Sequence, residues 1–164
     1  MISQKVQDAI NVQINLEQYS AQLYLAMSAY CDRISFKGFA HWLKTQAVEE
    51  TTHAMKLIDF MLDNSAKLEL GAISTPPSDF GGVSKVFEKA LDHEREVTKK
   101  INALFELARS EKDYVSEIML QWFVTEQVEE EANVGQVVDH LKAVGEQGGG
   151  VWYLDSKMNK RVSN

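Results

Sequence analysis

Three stretches of this 164-residue chain, residues 1–37, 39–70 and 83–134, contain neither glycine nor proline. Strands in an all-β domain need a turn roughly every 8–12 residues, so uninterrupted runs of this length favour helices. The only two prolines, Pro76 and Pro77, are adjacent. Proline disfavours helix in the residue before it. The spacing therefore predicts four long helices, with residues 64–82 as a non-helical crossover.

Apolar residues mark one stripe on each helix, with steps near the helical repeat of about 3.6. The first helix runs from Ser3, as N-cap, to Cys31, and buries Val6, Ile10, Ile14, Ala21 and Leu25. Asp32-Arg33-Ile34-Ser35 is a short turn whose Ser35 caps the second helix. That helix carries Phe36, Phe39, Leu43, Ala47, Ala54, Leu57 and Met61 and ends near Asn64. The third starts near Gly82 and carries Val83, Val86, Ala90, Val97, Ile101, Leu104 and Ala108. After a turn at Ser110-Glu111-Lys112-Asp113, the fourth carries Val115, Met119, Trp122, Phe123, Val134, Val137 and Leu141 and stops near Gly145. Helices of about 28 residues are roughly 42 Å long. Short, long and short connections give antiparallel hairpins joined by a crossover that leaves helices two and three parallel. The expected fold is all-α: one domain over residues 1–164, with a four-helix bundle over 1–145 and a short fifth helix over about 150–160.

Polar residues interrupt every stripe. Glu17 lies on the first, Glu50 and His53 on the second, Glu94 on the third, and Gln127 and Glu130 on the fourth. An isolated buried carboxylate costs several kcal/mol and normally protonates. Several converging carboxylates repel one another unless a cation sits among them. Glu50 and His53, three residues apart, point to one side of their helix. Single carboxylates from two helices together with Glu-x-x-His form the di-iron carboxylate pattern of helical bundles. Glu17 to Glu50 and Glu94 to Gln127 are both 33 residues apart, and the two halves are offset by a constant 77. The second half has Gln-x-x-Glu in place of Glu-x-x-His, so two metal positions would be unequal. Glu49, Glu126 and Glu129 lie beside this set and, with Glu130, are candidates for a third, weaker cation. Tyr24 lies two turns beyond Glu17 on the same face, as a core residue or as a hydrogen-bonding and electron-donating phenol.

Composition narrows the function classes. The 24 acidic residues outnumber 17 basic ones, for a net charge of −7. That balance argues against nucleic acid and anionic membranes as partners. The acidic excess equals the seven carboxylates of the proposed set, which places it largely inside the bundle. One cysteine, Cys31, excludes intrachain disulfides and Cys-rich metal sites and suits a reducing compartment, so a cytoplasmic location is expected. Neither a signal-peptide stretch nor a run of about 18 apolar residues is evident. Cys31, Met27, Met55, Met61 and Met119 read as core, and His41, His93 and His140 as surface or interface residues.

The chain resembles the ferritins, most closely the bacterial non-haem ferritins. The resemblance rests on Glu17-Gln18-Tyr19-Ser20-Ala21-Gln22-Leu23-Tyr24, Glu49-Glu50-Thr51-Thr52-His53-Ala54, Glu94 and Glu126-Gln127-Val128-Glu129-Glu130-Glu131. It implies a ferroxidase whose first iron is held by Glu17, Glu50 and His53. Glu50 would bridge to a second iron completed by Glu94 and Glu130, with Gln127 and Tyr24 beside the pair. Glu49, Glu126, Glu129 and Glu130 match a third iron site. Thr51 stands where haem-binding bacterioferritins carry Met, so no haem is expected. The resemblance further implies O2 or H2O2 as oxidant and a homo-oligomeric shell of 24 subunits that stores ferric mineral. The short C-terminal helix would line a fourfold axis, with Trp152, Tyr153 and Leu154 as packing surface. Two other readings are a di-metal oxidase or oxygenase acting on a small organic substrate, and a bundle whose polar core only sets helix register.

Overall fold

The computed structural model describes residues 2–162 and contains five helices: α1 (Gln4–Arg33), α2 (Lys37–Asp63), α3 (Val83–Ser110), α4 (Tyr114–Val144) and α5 (Gly149–Met158). α1 packs chiefly on α2 and α3 on α4, and α1 also meets α3. α5 folds back onto α2 and α4. The expected all-helical bundle, crossover and fifth helix are therefore present.

The crossover is tied to α1 by a ladder of amide side chains on successive turns. Gln7 Oε1 accepts from the Lys67 backbone N–H, Asn11 Nδ2 donates to the Lys67 carbonyl, and Asn15 Nδ2 donates to the Ala72 carbonyl. Further on, Arg33 Nη2 donates to the Ser78 carbonyl, and Phe80 packs edge-on against Tyr30. The strap thus runs alongside α1 from its N-terminal turns to its last one. It delivers the chain to the end of the bundle where α2 began, so α2 and α3 are parallel.

Side-chain caps, both local and from distant parts of the chain, fix the helix starts. Ser3 Oγ caps α1 by accepting from Val6 N–H at 3.3 Å, as its sequence position suggests. Ser35 does not cap α2: it sits at φ 70°, in the left-handed region. Its place is taken by Asp155 of α5, whose Oδ1 accepts from Phe39 N–H at 2.9 Å. Gly38 makes this approach possible, since a Cβ there would lie 1.6 Å from the Asp155 carbonyl oxygen. Glu146 caps α3 through Ser84 N–H, where Gly82 has no side chain to offer. Asp113 serves two helices: Oδ1 accepts from Ser116 N–H of α4 and Oδ2 from Ser3 N–H.

The buried residues fall into two apolar clusters. One contains Leu23, Met27, Phe39, Leu43, Phe87, Val134, Leu141, Val151 and Leu154. The other contains Val6, Ile10, Ile14, Leu57, Met61, Ile101, Leu104, Leu120 and Phe123. Between them, in the middle turns of all four long helices, lie Glu17, Glu50, His53, Glu94, Gln127 and Glu130, all buried.

Several stripe assignments change. Leu25 and Met55 are exposed, at 49% and 47%. On α4 the inward ridge is Ser116, Leu120, Phe123, Gln127, Glu130 and Val134, whereas Val115 is exposed and Trp122 sits at the rim, packed edge-on against His53. α4 carries apolar residues around most of its circumference, so hydrophobicity alone does not set its phase. Met119 is only partly buried and Leu154 packs inward, leaving Trp152 and Tyr153 exposed. His93 is half-buried: its Nε2 lies 2.7 Å from Ser20 Oγ, and burial lowers its pKa to about 4. Cys31 is buried, which pushes its thiol up to about 12.

Gly38→Ala should force α5 away from α2 and break the Asp155 cap. The expected cost is about 1–3 kcal/mol, read as a lower thermal midpoint and faster proteolysis at residues 145–149. Gly135→Ala is the control, because nothing lies within 4 Å of a Cβ there. Equal stability of the two variants would contradict this account of α5.

Candidate metal centre

The long helices bring Glu17, Glu50, His53, Glu94 and Glu130 into one buried layer. Among the described residues, three groups offer ligand atoms within 4.8 Å of one another: Glu17, Glu50 and His53; Glu50, Glu94 and Glu130; and His53, Glu126 and Glu130. Adjacent groups share members. Glu50 belongs to the first two, Glu130 to the last two, and His53 to the first and third. His53 Nδ1 lies 3.3 Å from Glu50 Oε2, while Nε2 lies 3.9 Å from both Glu126 Oε1 and Glu130 Oε1. One imidazole thus presents a nitrogen to each side.

Amide donors hold the carboxylates in place. Gln13 Nε2 donates to Glu17 Oε1 at 2.7 Å. Gln46 Nε2 donates to Glu50 Oε1 at 3.1 Å and to Glu130 Oε2 at 2.5 Å. Gln127 Nε2 is 3.2 Å from Glu94 Oε2 and 3.2 Å from Thr98 Oγ1. The Tyr24 hydroxyl donates to Glu94 Oε1. Neither Gln13 nor Gln46 stood out in the sequence reading. A signal was there: each precedes its glutamate by four residues, and the two are 33 apart, like Glu17 and Glu50.

Burial dominates the electrostatics. Desolvation raises Glu17 and Glu50, and in Glu50 the neighbouring Glu94 and Glu17 add to the rise. Desolvation lifts Glu94 to about 7, opposed by hydrogen bonds from Tyr24 and Gln127. Glu130 is lifted to about 9 by desolvation and then by Glu50 and Glu94. Glu17 Oε2 is buried with no hydrogen-bond partner. A buried acceptor without a donor is costly. An oxygen of this kind, in a hard-ligand cluster with one imidazole, fits a divalent cation.

The outer carboxylates are arranged differently. Glu49, Glu126, Glu129 and Glu130 all line a cavity of about 560 Å3 beside His53, together with Trp122 and Arg161. Only Glu126 and Glu130 join His53 in a compact group. Glu129 is exposed, and Glu49 is paired with Arg161 at 2.5 Å. Four carboxylates on the wall of this cavity suit cations better than an apolar substrate.

The comparisons with known proteins identify the family. The family model for the ferritin-like domain matches residues 7–144. A bacterial non-heme ferritin of Bacteroides fragilis is 42% identical over 161 residues, covering 98% of this chain and all of the relative. A bacterial non-heme ferritin of Staphylococcus aureus is 37% identical over 162 residues, covering 99% of this chain and 98% of the relative. Among solved structures, an engineered closed form of the Archaeoglobus fulgidus ferritin superimposes with a TM-score of 0.98 at 42% identity, with full coverage of both chains. A humanized archaeal ferritin gives a TM-score of 0.98 at 41% identity, covering 100% of this chain and 99% of that one. The chain belongs to the ferritin family. No helix among the described residues is long and apolar enough to cross a membrane.

The raised carboxylate pKa values set a pH dependence. A glutamate whose folded pKa lies above its ordinary value stabilises the metal-free fold fully below that ordinary value. The contribution is lost as pH rises through the folded value. For Glu94 the window runs from 4.5 to about 7, and for Glu130 from 4.5 to about 9. The thermal midpoint of metal-free protein should fall across that range, and saturating Zn(II) should flatten the slope. A metal-free protein with no such slope would contradict the buried-charge arrangement.

Proposed function

We propose that this protein is an iron-storage ferritin with ferroxidase activity. Fe(II) is its substrate, O2 or H2O2 the oxidant, and a ferric oxide mineral inside a shell of 24 subunits the product. The observation that carries the reading is the pair of overlapping buried groups sharing Glu50. Glu17, Glu50 and His53 bind one iron, and Glu50, Glu94 and Glu130 bind the second. Each Fe(II) gives up one electron, and the pair reduces O2 to peroxide or H2O2 to water. Metal ligands must be deprotonated, so ion entry displaces whatever protons burial favours on Glu94 and Glu130. Gln13, Gln46 and Gln127 keep the freed carboxylates aimed inward. Tyr24 steers Glu94 by donating its hydroxyl hydrogen bond to Oε1. Glu126, Glu129 and Glu130, with Glu49, form a weaker third iron site in the adjoining cavity.

Assembly is supported by apolar side chains that a single chain leaves uncovered, among them Val12, Leu70, Ile118 and Val128. The buried, reduced Cys31 suits a cytoplasmic protein. The di-metal oxygenase reading is less favoured because the cavity beside His53 is lined by Glu49, Glu126, Glu129 and Glu130.

Aerobic addition of Fe(II) to purified protein, with size-exclusion chromatography alongside, tests this reading. Fast oxidation with hundreds of irons retained in a particle of several hundred kDa, as a hollow shell of 24 such chains requires, is the expected result. Glu50→Ala and His53→Ala should each abolish the fast phase while the particle persists. Glu129→Ala should change stoichiometry or turnover more than the first oxidation event. Wild-type oxidation rates in Glu50→Ala would show that the proposed centre is wrong.

A further inference from the structure

The segment after α5 turns back on itself, with Arg161 N–H donating to the Met158 carbonyl at 3.3 Å. This lays Arg161 along one face of α2. Its backbone oxygen is 2.7 Å from His41 Nε2, its guanidinium carbon stacks 4.0 Å from the centre of the Trp42 ring, and its Nη1 reaches the Trp42 carbonyl at 3.4 Å. Nη2 donates to Gln46 Oε1 at 2.7 Å and to Glu49 Oε2 at 2.5 Å. Trp42, Gln46 and Glu49 follow one another at four- and three-residue steps, so one side chain covers nearly two turns of the helix that carries Glu50 and His53.

We propose that Arg161 is a positioning residue that governs the outer cation site: it holds Glu49 away from Glu126, Glu129 and Glu130, so a third ion binds weakly until Glu49 is released. This rests on the ferroxidase reading above. The argument is one of competing counter-ions. Side chains of Arg161 and Glu49 are only 16% and 15% exposed. A charge-assisted hydrogen bond with that little access to water is stronger than a surface ion pair. A dication that recruits Glu49 must either displace the guanidinium or sit beside a like charge. The same Nη2 engages the Gln46 oxygen, which commits the Gln46 amide nitrogen to Glu50 and Glu130. Arg161 therefore supports the inner carboxylates while restraining the outer one. The C-terminal segment thereby acts as a latch on the cavity that adjoins the buried centre.

The test is calorimetric titration of the metal-free, assembled protein with Zn(II), a redox-inert probe. Wild type should show two tight steps and one weak step per chain. Arg161→Ala should tighten the weak step about tenfold, the scale of losing one charge-assisted hydrogen bond. In a Glu49→Gln background, the same arginine substitution should leave the weak step unmoved, which separates a contact with Glu49 from a general loss of positive charge. An unchanged weak step in Arg161→Ala, or an equal gain in the Glu49→Gln background, would overturn the proposal. Absence of the two tight steps in wild type would remove the ferroxidase reading and this inference with it. Tight steps present with an unresponsive third step would remove only the role of Arg161.

Discussion

Four glutamates share a water-poor layer in the middle of this bundle, and the rest of the molecule is arranged around the cost of putting them there. Moving a carboxylate from water into a protein interior costs several kcal/mol even after relaxation. Repulsion between neighbours such as Glu50, Glu94 and Glu130 adds to that cost. Two devices offset it. Amides from Gln13, Gln46 and Gln127 and the Tyr24 hydroxyl donate hydrogen bonds to the carboxylates. Burial also raises the pKa values of Glu94 and Glu130, so taking up protons is easier there and lowers the charge. Both devices leave Glu17 Oε2 without a partner, an acceptor that a bound cation would satisfy.

The layer also explains why the core is divided. Apolar contacts are continuous above and below it, in two clusters, and neither crosses it. Helices therefore have to be locked at their ends as well as through their middles. Long-range caps do this: Asp155 on α2, Glu146 on α3 and Asp113 joining α4 to α1. The amide ladder of Gln7, Asn11 and Asn15 fastens the crossover along α1. With both ends pinned, the central turns hold their side chains within coordination distance before any ion arrives. Pre-organisation of this kind lowers the ordering cost of binding.

Much of this was legible in the sequence because it follows from periodicity. Glu17, Glu50, His53, Glu94 and Glu130 are polar residues at apolar positions, and helical spacing is enough to place them on inner faces. Helix ends were legible where the cap is local, as at Ser3, and illegible where it is not. Ser35 had the right chemistry next to α2, but the cap came from Asp155 through a contact that only Gly38 permits. The phase of α4 was ambiguous because its outer face is also apolar. The balance of charge read too simply as well. Of the seven carboxylates that matched the acidic excess, Glu17, Glu50, Glu94 and Glu130 are buried, while Glu129 is exposed and Glu49 has its own arginine. Arg161 was invisible to pattern reading, since nothing local connects a C-terminal arginine to α2.

The central claim is that the buried carboxylate layer is a two-ion site, and anomalous X-ray diffraction tests it most directly. Crystals would be soaked in Fe(II) without oxygen and measured at the iron absorption edge. The account predicts two strong anomalous peaks per chain, one among Glu17, Glu50 and His53 and one among Glu50, Glu94 and Glu130, bridged by Glu50. Saturated crystals with no anomalous density in this layer would contradict it.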